Sequence, residues 1–98
     1  MARIVWTDDA INDVRSIFEF IADDAPFRAA IFIDELIEYT DRLENFPLLG
    51  RIIPERSDPL YRELLFRDYR IMYRVQDSLV EIIYVYHGAR LFDNTLLN

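Results

Sequence analysis

The sequence has 98 residues, 52% of them hydrophobic, and a formal net charge of −7. A chain of this length supports one hydrophobic core, so we expect a single domain spanning residues 1–98, and its apolar content excludes a disordered chain. It has no cysteine and no apolar run near the roughly 20 residues that cross a bilayer, which predicts a cytoplasmic protein without disulfides or thiolate chemistry.

The charge is unevenly distributed along the chain. Residues 8–46 contain eleven acidic residues and three arginines, a net of −8, whereas residues 47–98 contain seven of each and are neutral. All eleven basic residues are arginines. Proteins that bind nucleic acid generically present a net basic surface. We therefore expect neither tight non-specific binding to RNA or DNA nor direct sequence-specific DNA binding.

The N-terminal segment predicts a strand followed by a helix. Ala2–Trp6 is short and rich in β-branched residues, as is typical of a strand. Thr7 suits the N-cap position, where its hydroxyl can accept a hydrogen bond from a free backbone amide. The next apolar residues recur at helical spacing: Ala10, Ile11, Val14, Ile17, Phe18 and Ile21. We expect this helix to end near Asp23–Ala25, because Pro26 disfavours helical geometry in the residue before it.

A second helix is predicted to begin at Pro26, whose missing amide costs nothing in the first turn of a helix. The buried stripe of this helix is expected to contain Ala29, Ala30, Ile33, Leu36, Ile37, Thr40 and Leu43, widened by Phe32 and Tyr39. Phe27 and Ile31 fall on the opposite face, among charged residues. They are either isolated exposed apolar residues, which are common, or part of a surface that a partner protein contacts.

The second half predicts a loop and three strands. Residues 50–60 contain two prolines and a glycine, which favours a loop over a strand. Short turns then separate three strands that we expect to be antiparallel neighbours: Tyr61–Arg67, Tyr69–Val75 and Leu79–Tyr86. The last of these is apolar on both faces apart from Glu81, which is typical of an interior strand. The tail after Arg90 could form a helical turn, an extension of the sheet or an arm that contacts a partner.

The arginines of these strands are candidate functional residues. Alternation along the second strand places Arg70 and Arg74 on one sheet face, and a neighbouring strand in register would bring Arg62 beside them. His87 and Arg90 follow the last strand. Such a cluster would suit a phosphate. Alternatively, the arginines form cross-strand ion pairs with carboxylates nearby: Glu55, Glu63, Asp68 and Glu81. The residue types leave both interpretations open.

A nuclease that works without metal needs a base, an acid and a cation for the charge that develops on the phosphate. Glu55 or Glu63, His87, and Arg62 or Arg70 could fill those roles. The chain has one histidine, no cysteine and only two glycines. It therefore predicts no metal site, no glycine-rich phosphate loop and no cofactor.

Four segments follow one another between Ile4 and Arg90: VWTDDAINDVRSIFEFIADDAP, LENFPLLGR, RELLFRDYRIMYRV and VEIIYVYHGAR. In this order and spacing they resemble the RelE/ParE superfamily of toxins from type II toxin–antitoxin systems. The resemblance implies an α+β fold of order β-α-α-β-β-β, in which an N-terminal strand precedes a helical hairpin packed on a curved antiparallel sheet. It also implies a cognate antitoxin that wraps the toxin with an extended or helical segment.

Members of this superfamily differ in their target. RelE-like and YoeB-like toxins cleave mRNA on the ribosome, whereas ParE-like toxins bind and inhibit DNA gyrase. Arg70 matches the arginine that the nucleases place at the scissile phosphate, but ParE-like chains share it. His87 matches the YoeB-like histidine, yet Gly88–Arg90 replaces the tyrosine that should follow. The lysine pair of RelE-like nucleases is also missing, since only Arg51 and Arg56 stand before the sheet.

The HGAR ending and the LENFPLLGR turn are most similar to ParE-like chains. The resemblance therefore implies a non-enzymatic gyrase inhibitor that an antitoxin neutralises. The alternative is a ribosome-dependent mRNA endonuclease with Arg62 and Arg70 on the phosphate, Glu55 as base and His87 as acid. We expect an acidic or amphipathic antitoxin segment to lie along the helical hairpin and across the arginines. The residues expected to contact partners are Arg62, Arg70, Arg74, Arg90, Phe27 and Ile31.

Overall fold

The computed structural model of the protein describes residues 1–97. The helices are α1 (Asp8–Ala22) and α2 (Pro26–Asp41), and the strands are β1 (Arg3–Trp6), β2 (Arg51–Ile52), β3 (Tyr61–Phe66), β4 (Tyr69–Gln76) and β5 (Leu79–His87). Two short 3₁₀ turns lie at Arg42–Glu44 and Asn94–Leu97. The α+β class and the predicted order of elements are confirmed, with β2 as an addition.

The five strands form one sheet in the order β1-β5-β4-β3-β2. Neighbouring strands from β2 to β5 are antiparallel, as expected. β1 instead runs parallel to β5, with Arg3 opposite Leu79 and Trp6 opposite Ile82. A parallel pair needs a long crossover connection, and the helical hairpin begins that connection. The sheet is therefore mixed.

β2 corrects the prediction that residues 50–60 form only a loop. Arg51 pairs with Glu63 and Ile52 with Arg62 on β3, and the amide of Ile53 donates to the Tyr61 carbonyl at 2.9 Å. Pro54 comes next and has no amide to continue the ladder. Arg51 and Ile52 therefore form an edge strand, and the loop that the composition predicts begins only after them.

The helix boundaries follow the predicted capping residues. The Thr7 hydroxyl accepts a hydrogen bond from the Ala10 amide at 3.1 Å and donates one to the Ile83 carbonyl at 3.1 Å. The cap therefore also ties the start of α1 to β5. The helix ends at Ala22, and Pro26 is the first residue of α2, both as expected.

Two residues expected in the buried stripe of α2 are exposed. Ala29 and Leu36 are fully buried against the rest of the molecule. Ala30 and Ile37 each follow one of them by a single position, which turns their side chains by about 100° around the helix. They consequently lie on the outer surface of the hairpin, and their predicted burial is wrong.

The two faces of the sheet carry separate apolar clusters. The helix face holds the main core, in which buried sheet residues such as Ile71, Tyr73 and Ile82 pack against the helices. We call the opposite side the outer face. Its cluster contains Ile53, Met72, Tyr86, Phe92 and Leu97.

The tail after Arg90 covers part of the outer face. It forms a helical turn, one of its three predicted arrangements, and this turn docks on the sheet with Phe92 and Leu97 buried. The Tyr86 hydroxyl donates to the Leu91 carbonyl at 3.2 Å, and the Tyr84 hydroxyl donates to the Leu96 carbonyl at 3.1 Å. None of the helices between residues 1 and 97 is long and apolar enough to cross a membrane.

Candidate functional site

Arg70 lies on the outer face of the sheet, opposite Leu65 on β3 and Tyr86 on β5. Only 9% of its side chain is exposed. The Phe92 ring covers the guanidinium, with 5.6 Å between Cζ and the ring centroid. Removing a charge from water costs several kcal/mol unless the charge is paired, so this position demands carboxylate partners.

Two glutamates supply those partners. Nη1 and Nη2 of Arg70 donate to Oε2 and Oε1 of Glu55 at 3.0 and 2.7 Å, and Nε donates to Oε1 of Glu63 at 2.7 Å. The side chain of Glu63 is completely buried and also accepts a bond from Nε of Arg51 at 2.6 Å. We call this set of four side chains the arginine–glutamate network: Arg51, Glu55, Glu63 and Arg70. Its two positive and two negative charges balance.

The network changes the ionisation of its members. The hydrogen bond from Arg70 lowers the pKa of Glu55, and the bond to Glu55 raises the pKa of Arg70. A general base needs a pKa near the working pH, whereas Glu55 is held more firmly in its charged form. The pair is therefore better suited to holding charge than to moving a proton.

Arg62 lies on the helix face, away from Arg70. β3 pairs it with Tyr73, and paired residues of an antiparallel ladder point to the same side of the sheet. The expectation that Arg62 joins the other arginines is consequently wrong. Its guanidinium instead donates to backbone carbonyls of Pro59 at 2.9 Å and Gly50 at 3.0 Å. Arg62 thus holds the two ends of the loop around β2.

His87 also points to the helix face, where β5 pairs it with Tyr69. The two rings meet edge to face, with centroids 5.2 Å apart, and Nδ1 accepts a hydrogen bond from the Ala89 amide at 3.1 Å. Arg70 and His87 therefore project from opposite faces. They approach each other only at the strand ends, where both line a shallow pocket of about 240 Å³. The proposed set of nuclease residues is divided by the sheet.

The remaining arginines of the outer face are also engaged. Arg74 pairs with Glu81, its neighbour in register on β5, with 3.2 Å between Nη2 and Oε1. The Arg90 guanidinium lies 4.4 Å from the centroid of the Tyr86 ring. The prediction of cross-strand ion pairs is confirmed for Arg70 and Arg74. Asp68, also named in that prediction, accepts a bond from the Gly88 amide through its backbone carbonyl.

Phe27 and Ile31 are exposed on the outside of α2, by 88% and 58%. Phe20 on α1 is also exposed, by 78%. The exposure of Phe27 and Ile31 agrees with the predicted helix face, and their contact with a partner stays a prediction. No group of three histidine or acidic side chains within residues 1–97 is arranged to hold a metal ion.

Sequence reasoning missed a contact that joins α1 to the sheet. β5 has a register shift opposite Met72 and Tyr73, and Oδ2 of Asp13 accepts a hydrogen bond from the nearby Val85 amide at 2.9 Å. Burial raises the pKa of Asp13, so the contact places a partly desolvated carboxylate between helix and sheet. An acidic residue among the apolar positions of α1 was the only signal for it.

Comparisons with known proteins agree with this architecture. A family model described as the ParE toxin of the type II toxin–antitoxin system, parDE, matches residues 4–92. Toxin RelE2 of Caulobacter vibrioides is 35% identical over 92 residues, which span 93% of this chain and 100% of that protein.

Two solved structures have the same fold. The chromosomal ParDE system from P. aeruginosa matches with a TM-score of 0.75 and 22% identity, over 89% of this chain and 96% of that one. The RelBE2 toxin–antitoxin complex from Mycobacterium tuberculosis matches with a TM-score of 0.63 and 22% identity, over 88% and 96% of the two chains. Fold and family model together define a toxin of the RelE/ParE superfamily. Within it, the chain belongs to the family of ParE toxins from type II toxin–antitoxin systems.

Proposed function

We propose that this toxin acts in the cytoplasm by binding DNA gyrase and that a cognate antitoxin neutralises it. The observation that carries the proposal is the engagement of Arg70. All three of its guanidinium nitrogens donate to carboxylates. A substrate phosphate would have to displace Glu55 and share the cation with the buried Glu63. Stabilising the negative charge that develops on a phosphate in the transition state requires hydrogen-bond donors that are free and already oriented. The donors of Arg70 are already occupied by Glu55 and Glu63.

The arrangement of the other nuclease candidates also favours inhibition by binding. Glu55, the candidate base, has a lowered pKa, and His87, the candidate acid, projects from the face opposite to Arg70. A base and an acid must both reach the same phosphate. The net charge of −7 adds a long-range penalty for approaching ribosomal RNA.

Two assays on the same purified toxin test the proposal. Plasmid supercoiling by gyrase should fall as toxin is added, and an mRNA held on programmed ribosomes should stay intact. Message cleavage without gyrase inhibition would overturn the proposal. Co-expression of the cognate antitoxin should restore growth, and absence of growth arrest by the toxin alone would contradict toxicity of either kind.

The second candidate is a ribosome-dependent mRNA endonuclease. The relative named RelE2 and the pocket shared by Arg70 and His87 favour it. It predicts that His87→Gln and Arg70→Lys each abolish growth arrest while antitoxin binding persists. Arg3→Lys, an exposed arginine on β1, is the matched control. Growth arrest by His87→Gln at the wild-type level would remove this candidate.

A further inference from the structure

The outside of the helical hairpin carries an apolar groove. Trp6 of β1, Ile11 and Val14 of α1, and Ile37 of α2 line a pocket of about 320 Å³. Ile11 and Ile37 are exposed by 43% and 39%. We call this feature the hairpin groove. Trp6 and Val14 also pack against the main core, so the groove lies where that core reaches the surface and leaves apolar side chains in water.

Helical spacing extends the hairpin groove along both helices. Phe18 follows Val14 by one turn on α1 and is 39% exposed. Ala30 precedes Ile37 by two turns on α2 and is also exposed. Together these residues form an apolar strip between the two helices, which is the shape that receives the apolar face of a third helix.

Acidic residues border the groove. Asp34 precedes Ile37 by three residues on α2 and Asp41 follows it by four, so both are surface neighbours of the groove lining. Neither forms an ion pair within residues 1–97. They belong to the stretch 8–46, whose eleven acidic residues and three arginines give a net charge of −8. The border therefore attracts cations.

We propose that the hairpin groove binds an amphipathic helix whose apolar stripe is flanked by arginines or lysines. The assignment of this helix to the antitoxin rests on the proposed function. Apolar residues would fill the groove, while the basic flanks would pair with Asp34 and Asp41. A second copy of this chain is a poor occupant, because two surfaces of the same strong negative charge repel each other.

Of the two antitoxin segments expected from the sequence, acidic or amphipathic, this proposal keeps the amphipathic one and gives it basic rather than acidic flanks. Arg70 and Arg74 on the outer face are paired with the protein's own carboxylates, so they offer little to an acidic segment. The hairpin itself carries an excess of negative charge, since residues 8–46 have a net charge of −8. Charge complementarity therefore calls for a basic segment at this surface.

The proposal is tested with two fluorescein-labelled peptides of about 18 residues, or about five helical turns. They share one leucine stripe and differ only in its flanking residues, which are arginine in one peptide and glutamate in the other. Fluorescence anisotropy with the full chain should show at least about tenfold tighter binding of the arginine peptide. This preference should weaken as salt is added.

Matched variants separate the groove from general attraction to an acidic protein. Asp34→Asn combined with Asp41→Asn should weaken binding of the arginine peptide by about fivefold. The control double variant Asp23→Asn and Asp24→Asn removes the same charge at the opposite end of the hairpin and should change binding less than about twofold. Ile37→Ser should also weaken binding, whereas Leu91→Ser, outside the hairpin, should not. Circular dichroism checks the fold, and the aspartate variants decide alone if Ile37→Ser does not fold.

Equal binding of the two peptides would overturn the proposal. Equal losses in the two aspartate double variants would also overturn it, because they would show only attraction to net charge. Peptide binding does not require toxicity, so selective binding without growth arrest would contradict the proposed function and leave this inference standing. Growth arrest without selective binding would contradict the inference alone.

Discussion

Arg70 and Glu55 form a two-point ion pair, with 3.0 Å between Nη1 and Oε2 and 2.7 Å between Nη2 and Oε1. Glu55 belongs to the segment after β2, whereas Arg70 lies on β4. Because Nε of Arg70 also binds Glu63 on β3, one guanidinium fastens a loop and two strands together. Arg70 thus has a structural role in this protein.

Arg70→Met should lower the free energy of unfolding by about 3 kcal/mol, because Glu63 would lose one of its two cations while staying buried. Urea denaturation measures the change. Arg74→Met is the matched control on the same strand. The pair of Arg74 with Glu81, whose side chains are 35% and 33% exposed, should contribute less than about 1 kcal/mol. Equal losses in the two variants would show that burial of the Arg70–Glu63 pair adds nothing to its contribution, which would contradict the prediction.

Glu55 should make the free energy of unfolding depend on pH in the acidic range. Its folded-state pKa lies below the ordinary value of 4.5, so its contribution is fully present above pH 4.5 and is lost as the pH falls through the folded value. Glu55→Gln lacks this contribution. Urea unfolding from pH 7 to pH 3 should therefore show a difference between wild type and variant that shrinks below pH 4.5.

The same series in an Arg70→Met background provides the control. Without the guanidinium, the main cause of the lowered pKa is gone, so Glu55→Gln should have little pH-dependent effect there. A difference that persists in the absence of Arg70 would assign the effect to another group.

Phe92→Ala should destabilise the protein by about 3 kcal/mol, because Phe92 is buried on the outer face with its ring centroid 5.2 Å from that of Tyr86. Leu91→Ala changes the preceding residue, which is 96% exposed, and should cost less than about 0.5 kcal/mol. Thermal denaturation compares the two. Similar melting temperatures would mean that the tail contributes nothing to the stability of the sheet.

Gly50→Ala should cost about 2 to 3 kcal/mol, because a Cβ there would lie 2.5 Å from the Glu63 carbonyl oxygen and 2.8 Å from the Tyr73 hydroxyl. The Tyr73 hydroxyl bonds both the Gly50 amide and the Pro47 carbonyl, so neither side can move freely. Gly88→Ala meets only the Asp68 carbonyl oxygen at 3.2 Å, and we expect it to cost less than about 1 kcal/mol. A Gly50 variant as stable as the Gly88 variant would show that this turn can rearrange.

Local signals in the sequence were sufficient for much of the fold. Thr7 and Pro26 mark helix starts because capping depends on a few adjacent residues. The alternation of side chains along a strand correctly predicted that Arg70 and Arg74 share one face of the sheet, since both belong to β4. The glutamates near these two arginines in the sequence also indicated the ion pairs that Arg70 and Arg74 form.

Relations between elements were harder to predict. Arg62 was expected beside Arg70, but the predicted strands left only one residue between them. The structure has a two-residue turn, Arg67–Asp68, which pairs Phe66 with Tyr69 and so places Arg62 on the other face. Ala30 and Ile37 are apolar at helical spacing, yet the rotation of α2 against the sheet leaves them outside. Docking of Phe92 depends on contacts with β4 and β5 that the tail sequence does not encode by itself.

The parallel pairing of β1 with β5 has a consequence for the order in which the toxin folds. The two helices are close in sequence and can associate early, whereas β1 has no partner until residues 79–87 have been synthesised. A growing chain therefore displays the acidic hairpin before it possesses a complete sheet. The surface that we propose as the docking site of a basic helix therefore forms during translation, before β1 can pair with β5.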